Sequence, residues 1–103
     1  MVYIHERVYS DLELIFTGLL HWKKVELSLD FVECYIDDIL AQCYEIESEN
    51  YHFLAHYPEH TRYGEFIHRY RRNNHTLWYI VYDKDASGNI WVNKIISNHL
   101  TRL

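Results

Sequence analysis

Apolar positions change period once along this chain, and the change divides it into two halves. Val8, Leu12, Ile15, Leu19 and Trp22 are spaced 4, 3, 4 and 3 apart, which draws one stripe along a helix. Ser10 followed by Glu13 fits a capping box that would start this helix, and a start near Glu6 fits the stripe as well. Gly18 lies inside it. Ahead of the helix, Met1 to Glu6 alternates Val2 and Ile4 with Tyr3 and His5, the pattern of a short first strand. Lys23 to Ser28 is a short polar connection. A second stripe follows at Leu29, Val32, Ile36, Ile39, Cys43 and Ile46, a sustained seam with Asp30, Glu33, Asp37 and Asp38 on other faces. Ser28 is placed to cap it. Two striped helices joined so closely predict a helical hairpin.

Glu47 to Tyr63 is polar, rich in histidine and interrupted by Pro58, and reads as a helix end and a loop. The period then falls to two. Glu65 to Arg72 alternates, with Phe66, His68 and Tyr70 on one face and Ile67, Arg69 and Arg71 on the other. Asn73-Asn74 suits a hairpin turn because Asn tolerates positive φ. Leu77 to Tyr82 is a continuous aromatic and β-branched run, expected as a central strand buried on both faces. Asp83 to Asn89 reads as a second hairpin loop, and Ile90 to Ser97 as a third strand. Helices first and strands afterwards predict an α+β fold: a helical hairpin packed on a C-terminal antiparallel meander.

At 103 residues this is expected to be a single domain with a real core. Hydrophobic residues make up 49% and charged residues 24%, which excludes a disordered chain. No apolar run approaches the roughly 18 residues of a membrane span. His5, Glu6 and Arg7 in the first ten residues are unlike a signal peptide, so the expected compartment is the cytoplasm. Cys34 and Cys43 lie nine positions apart on one predicted helix. At about 1.5 Å per residue they sit about 13 Å apart, beyond the reach of about 7 Å for a disulfide. They are expected as small core residues in a reducing compartment.

The net charge of −5 hides an asymmetry. Residues 1–60 carry three Lys and Arg against twelve acids, and residues 61–103 carry seven against three. The basic half suits an acidic partner or nucleic acid; the acidic whole disfavours strong nonspecific nucleic-acid binding. The sharpest candidate is the cationic strand Arg69, Arg71 and Arg72 with His68, Tyr70 and His75, joined by Lys94, His99 and Arg102 if the sheet curves. Guanidinium forks bind phosphate oxygens bidentately, and a His or Tyr moves a proton. Metal-independent RNA cleavage uses those parts. The plainer reading is a solvated strand face. His52, His56 and His60 have the spacing of a helical zinc set, but Pro58 between the last two disfavours a helix, and a polar loop is the better reading. Asp37 and Asp38 are adjacent and do not face each other on a helix; with Asp30 and Glu33 they form a solvated face that screens the basic sheet. Aromatics at 17%, ten of them Tyr, fall mostly on the apolar stripes and belong to the core, with an exposed remainder suited to a protein partner. Motifs for nucleotide cofactors, serine hydrolysis and zinc proteolysis are missing, and no cofactor is expected.

The layout and several short motifs together resemble the RelE/ParE superfamily of toxins from bacterial type II toxin–antitoxin modules. Asp11-Leu12-x-x-Ile15 resembles the first-helix signature, and Glu59 to Gly64 the loop before the sheet. His68 to Arg72 and then Leu77 to Tyr82 are similar to the basic strand and the hydrophobic strand ending in Tyr. Val92 to His99 is similar to the last strand and its polar tail. The resemblance implies a cytoplasmic toxin of a plasmid-stabilisation type module, neutralised by a cognate antitoxin that wraps the helices and the sheet groove. On the RelE-like side it implies a ribosome-dependent mRNA endoribonuclease, with Arg69, Arg71 and Arg72 on phosphate and His99 as acid or base. On the ParE-like side the implied target is DNA gyrase, without nuclease chemistry. The acidic net charge, a tail without Tyr, and a helical hairpin with a Tyr-ended strand are more similar to the ParE-like side. The leading expectation is therefore a growth inhibitor that binds a protein; the alternatives are the endoribonuclease and a non-toxic interaction domain.

Overall fold

The computed structural model describes residues 1–21, 28–72 and 76–98. In chain order come β1 (Val2–Ile4), α1 (Glu6–Leu20), α2 (Leu29–Glu45), a 3-10 turn (Ile46–Ser48), β2 (Phe53–Leu54), α3 (Pro58–Thr61), β3 (Phe66–Arg71), β4 (Leu77–Lys84) and β5 (Ile90–Ser97). The class is α+β, with two N-terminal helices on a sheet built mainly from the C-terminal half. The sheet is wider than the sequence led one to expect. Its order is β1-β5-β4-β3-β2. β3, β4 and β5 form the antiparallel meander, β2 adds an antiparallel edge, and β1 pairs in parallel with β5. The sheet is therefore mixed. The segment expected to be loop before β3 holds three short elements, one of them α3 with Pro58 at its first position, where the missing N–H costs nothing. No helix among the described residues is long and apolar enough to cross a membrane.

α1 begins at Glu6, not at Ser10. The His5 N–H is still tied to the Val92 carbonyl at 2.9 Å, and His5 Nδ1 accepts from the Arg7 N–H at 3.0 Å. The chain thus passes from strand to helix at one residue, whose imidazole takes the place of the usual Ser or Asp cap. Ser28 does cap α2, its Oγ accepting from the Phe31 N–H at 3.1 Å. The connection between the helices and the Asn73-Asn74 turn lie outside the described residues.

One core joins the helices to one sheet face. Val8 and Leu12 of α1 meet Tyr35, Ile39 and Cys43 of α2 over Trp78, Ile80, Tyr82, Val92 and Ile95. Trp78 stands edge-on to Tyr35 and donates its indole N–H to the Tyr35 hydroxyl at 2.9 Å. β4 is the central strand and is covered on both faces, since Val81 is also fully buried. On that second face the chain after α3 passes so close that a Cβ on Gly64 would lie 2.9 Å from the Tyr82 carbonyl oxygen. Both cysteines are free; Cys43 is buried, but Cys34 is exposed on α2 and is no core residue.

β1 covers β5 only as far as Val92. Beyond that point α1 takes over the edge: Arg7 donates to the Asn93 carbonyl at 3.3 Å, and Asp11 Oδ2 accepts from the Ile95 N–H at 3.1 Å. A sheet edge that would template aggregation is thereby covered. The β4–β5 register slips between Val81 and Tyr82, which pair with Lys94 and Val92 and leave Asn93 as a bulge. Such bulges re-aim side chains, and Asn93 Nδ2 here donates to the Tyr63 carbonyl at 2.9 Å and to Asp83 Oδ2 at 3.0 Å.

Candidate functional site

Strand parity sorts the basic strand into two faces. On the helix side, His68 has Nε2 hydrogen-bonded to Gln42 Oε1 of α2 at 3.1 Å. Burial pushes its pKa down, with Glu49 and Glu45 opposing. Tyr70 packs half-buried against the core, and burial, then Asp38, raise its pKa. Arg69 and Arg71 stand opposite Tyr79 and Leu77 in the register and are exposed on the outer face. Arg69 has no hydrogen bond or ion pair among the described residues.

Arg72 and Lys94 are both paired with carboxylates. Just past β3, Arg72 returns to α2: Nη2 and Nε lie 3.0 Å from Asp38 Oδ2, and the guanidinium stacks on Tyr35 at 4.4 Å and Phe31 at 5.3 Å. The acidic face of α2 therefore screens the basic strand through one specific pair. Lys94 Nζ lies 2.7 Å from Asp11 Oδ1, and Asp11 itself is buried. His99, Arg102 and His75 lie outside the described residues. Among the described residues the candidate set does not converge on one point. Arg69 and Arg71 share the outer face, Arg72 lies on α2, and Lys94 lies between α1 and Tyr63.

The three histidines at the spacing of a helical metal set, His52, His56 and His60, have separate surroundings. His52 Nδ1 is hydrogen-bonded to the Tyr82 hydroxyl at 2.7 Å. Burial drives the Tyr82 phenol up to about 12, assisted by Glu49, and drives His52 down, assisted by Lys84. His56 is exposed. His60, a residue of α3, is buried with its ring 4.7 Å from that of Tyr79, and neither nitrogen has a hydrogen-bond partner among the described residues. No group of three or more His, Cys, Asp or Glu among the described residues is placed to hold a metal ion.

Sequence reading missed His60 as a neighbour of the basic strand, and it missed a second cationic group. Arg7, Arg62 and Lys94 all lie over the ring of Tyr63, at 5.2, 5.4 and 5.3 Å from its centroid. Only Arg62 is close to Tyr63 in sequence, so no local spacing marks this group. Compared with protein-family models, curated proteins and solved structures, the chain matches none of them.

Proposed function

We propose that this chain is the toxin of a type II toxin–antitoxin module, arresting growth by binding a protein target such as DNA gyrase and neutralised by a cognate antitoxin. The reading starts from the sequence resemblance. One observation favours binding over phosphate chemistry: Arg72 and Lys94 are already neutralised, by Asp38 and Asp11. A clamp for a developing phosphorane charge needs cations that converge and are preorganised toward the reacting atoms. Arg69 and Arg71, exposed on the outer face opposite Tyr79 and Leu77, are instead the kind of arginine and aromatic surface that anchors protein contacts.

The endoribonuclease reading keeps one observation in its favour. His60 lies close enough to Arg69 for the guanidinium to help burial lower its pKa, against Glu59, so an imidazole that resists protonation and a cation share one face. Growth and mRNA 5′ ends should be followed together after induction. The expected result is arrest with intact mRNA, abolished by Arg69→Ala with Arg71→Ala in a chain that still folds. New mRNA ends at codon positions would move the assignment to the endoribonuclease. No arrest would leave a non-toxic interaction domain.

A further inference from the structure

The cations around Tyr63 form a second polar site, separate from the Arg69–Arg71 face. A ring has two faces, so at least two of the three cations share one. Lys94 has Asp11, whose two oxygens already accept from Lys94 Nζ and the Ile95 N–H. Asp83, also near, has both oxygens taken by the Glu65 N–H and Asn93 Nδ2. Arg7 donates to the Asn93 carbonyl, and neither Arg7 nor Arg62 has a carboxylate partner among the described residues. Both are exposed, so each keeps guanidinium N–H groups directed at solvent.

The positions of these groups are set by the sheet. The Asn93 bulge holds the Tyr63 carbonyl and receives Arg7, so Tyr63 and Arg7 are fixed to β5 through one residue. Arg62 and Tyr63 also line an open cleft of about 520 Å³, whose other walls include His56, Thr61, Glu65 and Asp83. That volume falls within the range of small-molecule sites. Arg62 is the guanidinium in its wall, the Glu65 and Asp83 carboxylates and the Thr61 hydroxyl also line it, and Arg7 reaches it only through the shared Tyr63 ring.

We propose that Arg7 and Arg62 bind the phosphate of a small, hydroxyl-bearing phosphomonoester whose remainder lies in this cleft. A planar guanidinium matches phosphate oxygens in geometry. Two of them balance a charge of about −2 on the monoester. The hydroxyls of the remainder supply donors to the Glu65 carboxylate, which lines the cleft. The net charge of −5 repels a long polyanion more strongly than a small dianion held at the arginine pair.

Calorimetric titration of the whole chain with ribose 5-phosphate, inorganic phosphate and ribose tests this. Ribose 5-phosphate should bind more tightly than inorganic phosphate, and ribose should not bind. Arg62→Gln removes no hydrogen bond among the described residues, so the fold should survive; it should weaken ribose 5-phosphate by about tenfold or more, the size of a lost charged hydrogen bond. Arg7→Gln should act in the same direction. Absence of binding, or unchanged affinity in Arg62→Gln, would overturn the site. Equal affinity for inorganic phosphate would overturn the role of the cleft. Tighter binding of an oligoribonucleotide without terminal phosphates would overturn the small-molecule assignment in favour of a nucleic-acid backbone.

Discussion

His60 lies in its pocket at 2% exposure with two polar atoms and no partner for either among the described residues. A buried nitrogen without a hydrogen bond costs about 1–3 kcal/mol. The ring nonetheless packs well, against Tyr79 at 4.7 Å and edge-on to Tyr57. Replacing it with an aromatic of similar shape and no polar atoms should therefore help. His60→Phe is expected to raise stability by about 1 kcal/mol in urea unfolding. A loss of stability would mean that the nitrogens do have partners. Asp11 is the opposite case: every oxygen of a buried carboxylate is used, one by Lys94 and one by a main-chain N–H. Lys94 reads in the sequence as a binding cation because its partner stands 83 positions away, and no local pattern links two residues so far apart.

Among the elements, the passage of the chain after α3 across β4 is the least forgiving. Gly64 lies where a Cβ would meet main-chain and side-chain atoms of β4 at 2.9–3.1 Å. Gly64→Ala should cost about 1–3 kcal/mol, as overpacking does, and should shift the urea midpoint without changing the slope. The elements that span several periods were legible in advance. The stripe from Leu29 to Ile46 became α2, Leu29–Glu45, and the three alternating or apolar runs became β3, β4 and β5 within two residues at each end. β2 was not legible, because its two residues, Phe53 and Leu54, are both exposed and show no alternation. β1 was visible as a strand, but its parallel partner was not, since that pairing rests on contacts between the two ends of the chain. Parity along β3 correctly separated Arg69 and Arg71 from His68 and Tyr70. It could not foresee that Arg72, one step past the strand, turns back to Asp38.

Across the whole molecule, His52, His60 and His68 share one electrostatic condition: burial is the main cause holding each below its ordinary value. The unfolded chain binds protons at these sites near pH 6.5, while the folded chain resists them. The unfolded state therefore takes up more protons as the pH falls through that value, and stability drops. The urea midpoint should be flat above about pH 7.5 and decline from about pH 6.5 toward pH 5; His60→Phe should reduce the decline. A midpoint that stays level across this window would show that the three imidazoles are as easily protonated in the fold as outside it. The parallel pairing of Val2–Ile4 with Ile90–Val92 also orders events in time. During synthesis β1 leaves the ribosome first and the strand that receives it is the last of the sheet to be made. Until then Val2 and Ile4 lack the strand they pair with, and Asp11 lacks Lys94. The sheet therefore closes only once β5 has been made, and the contacts between the two ends of the chain cannot form before it.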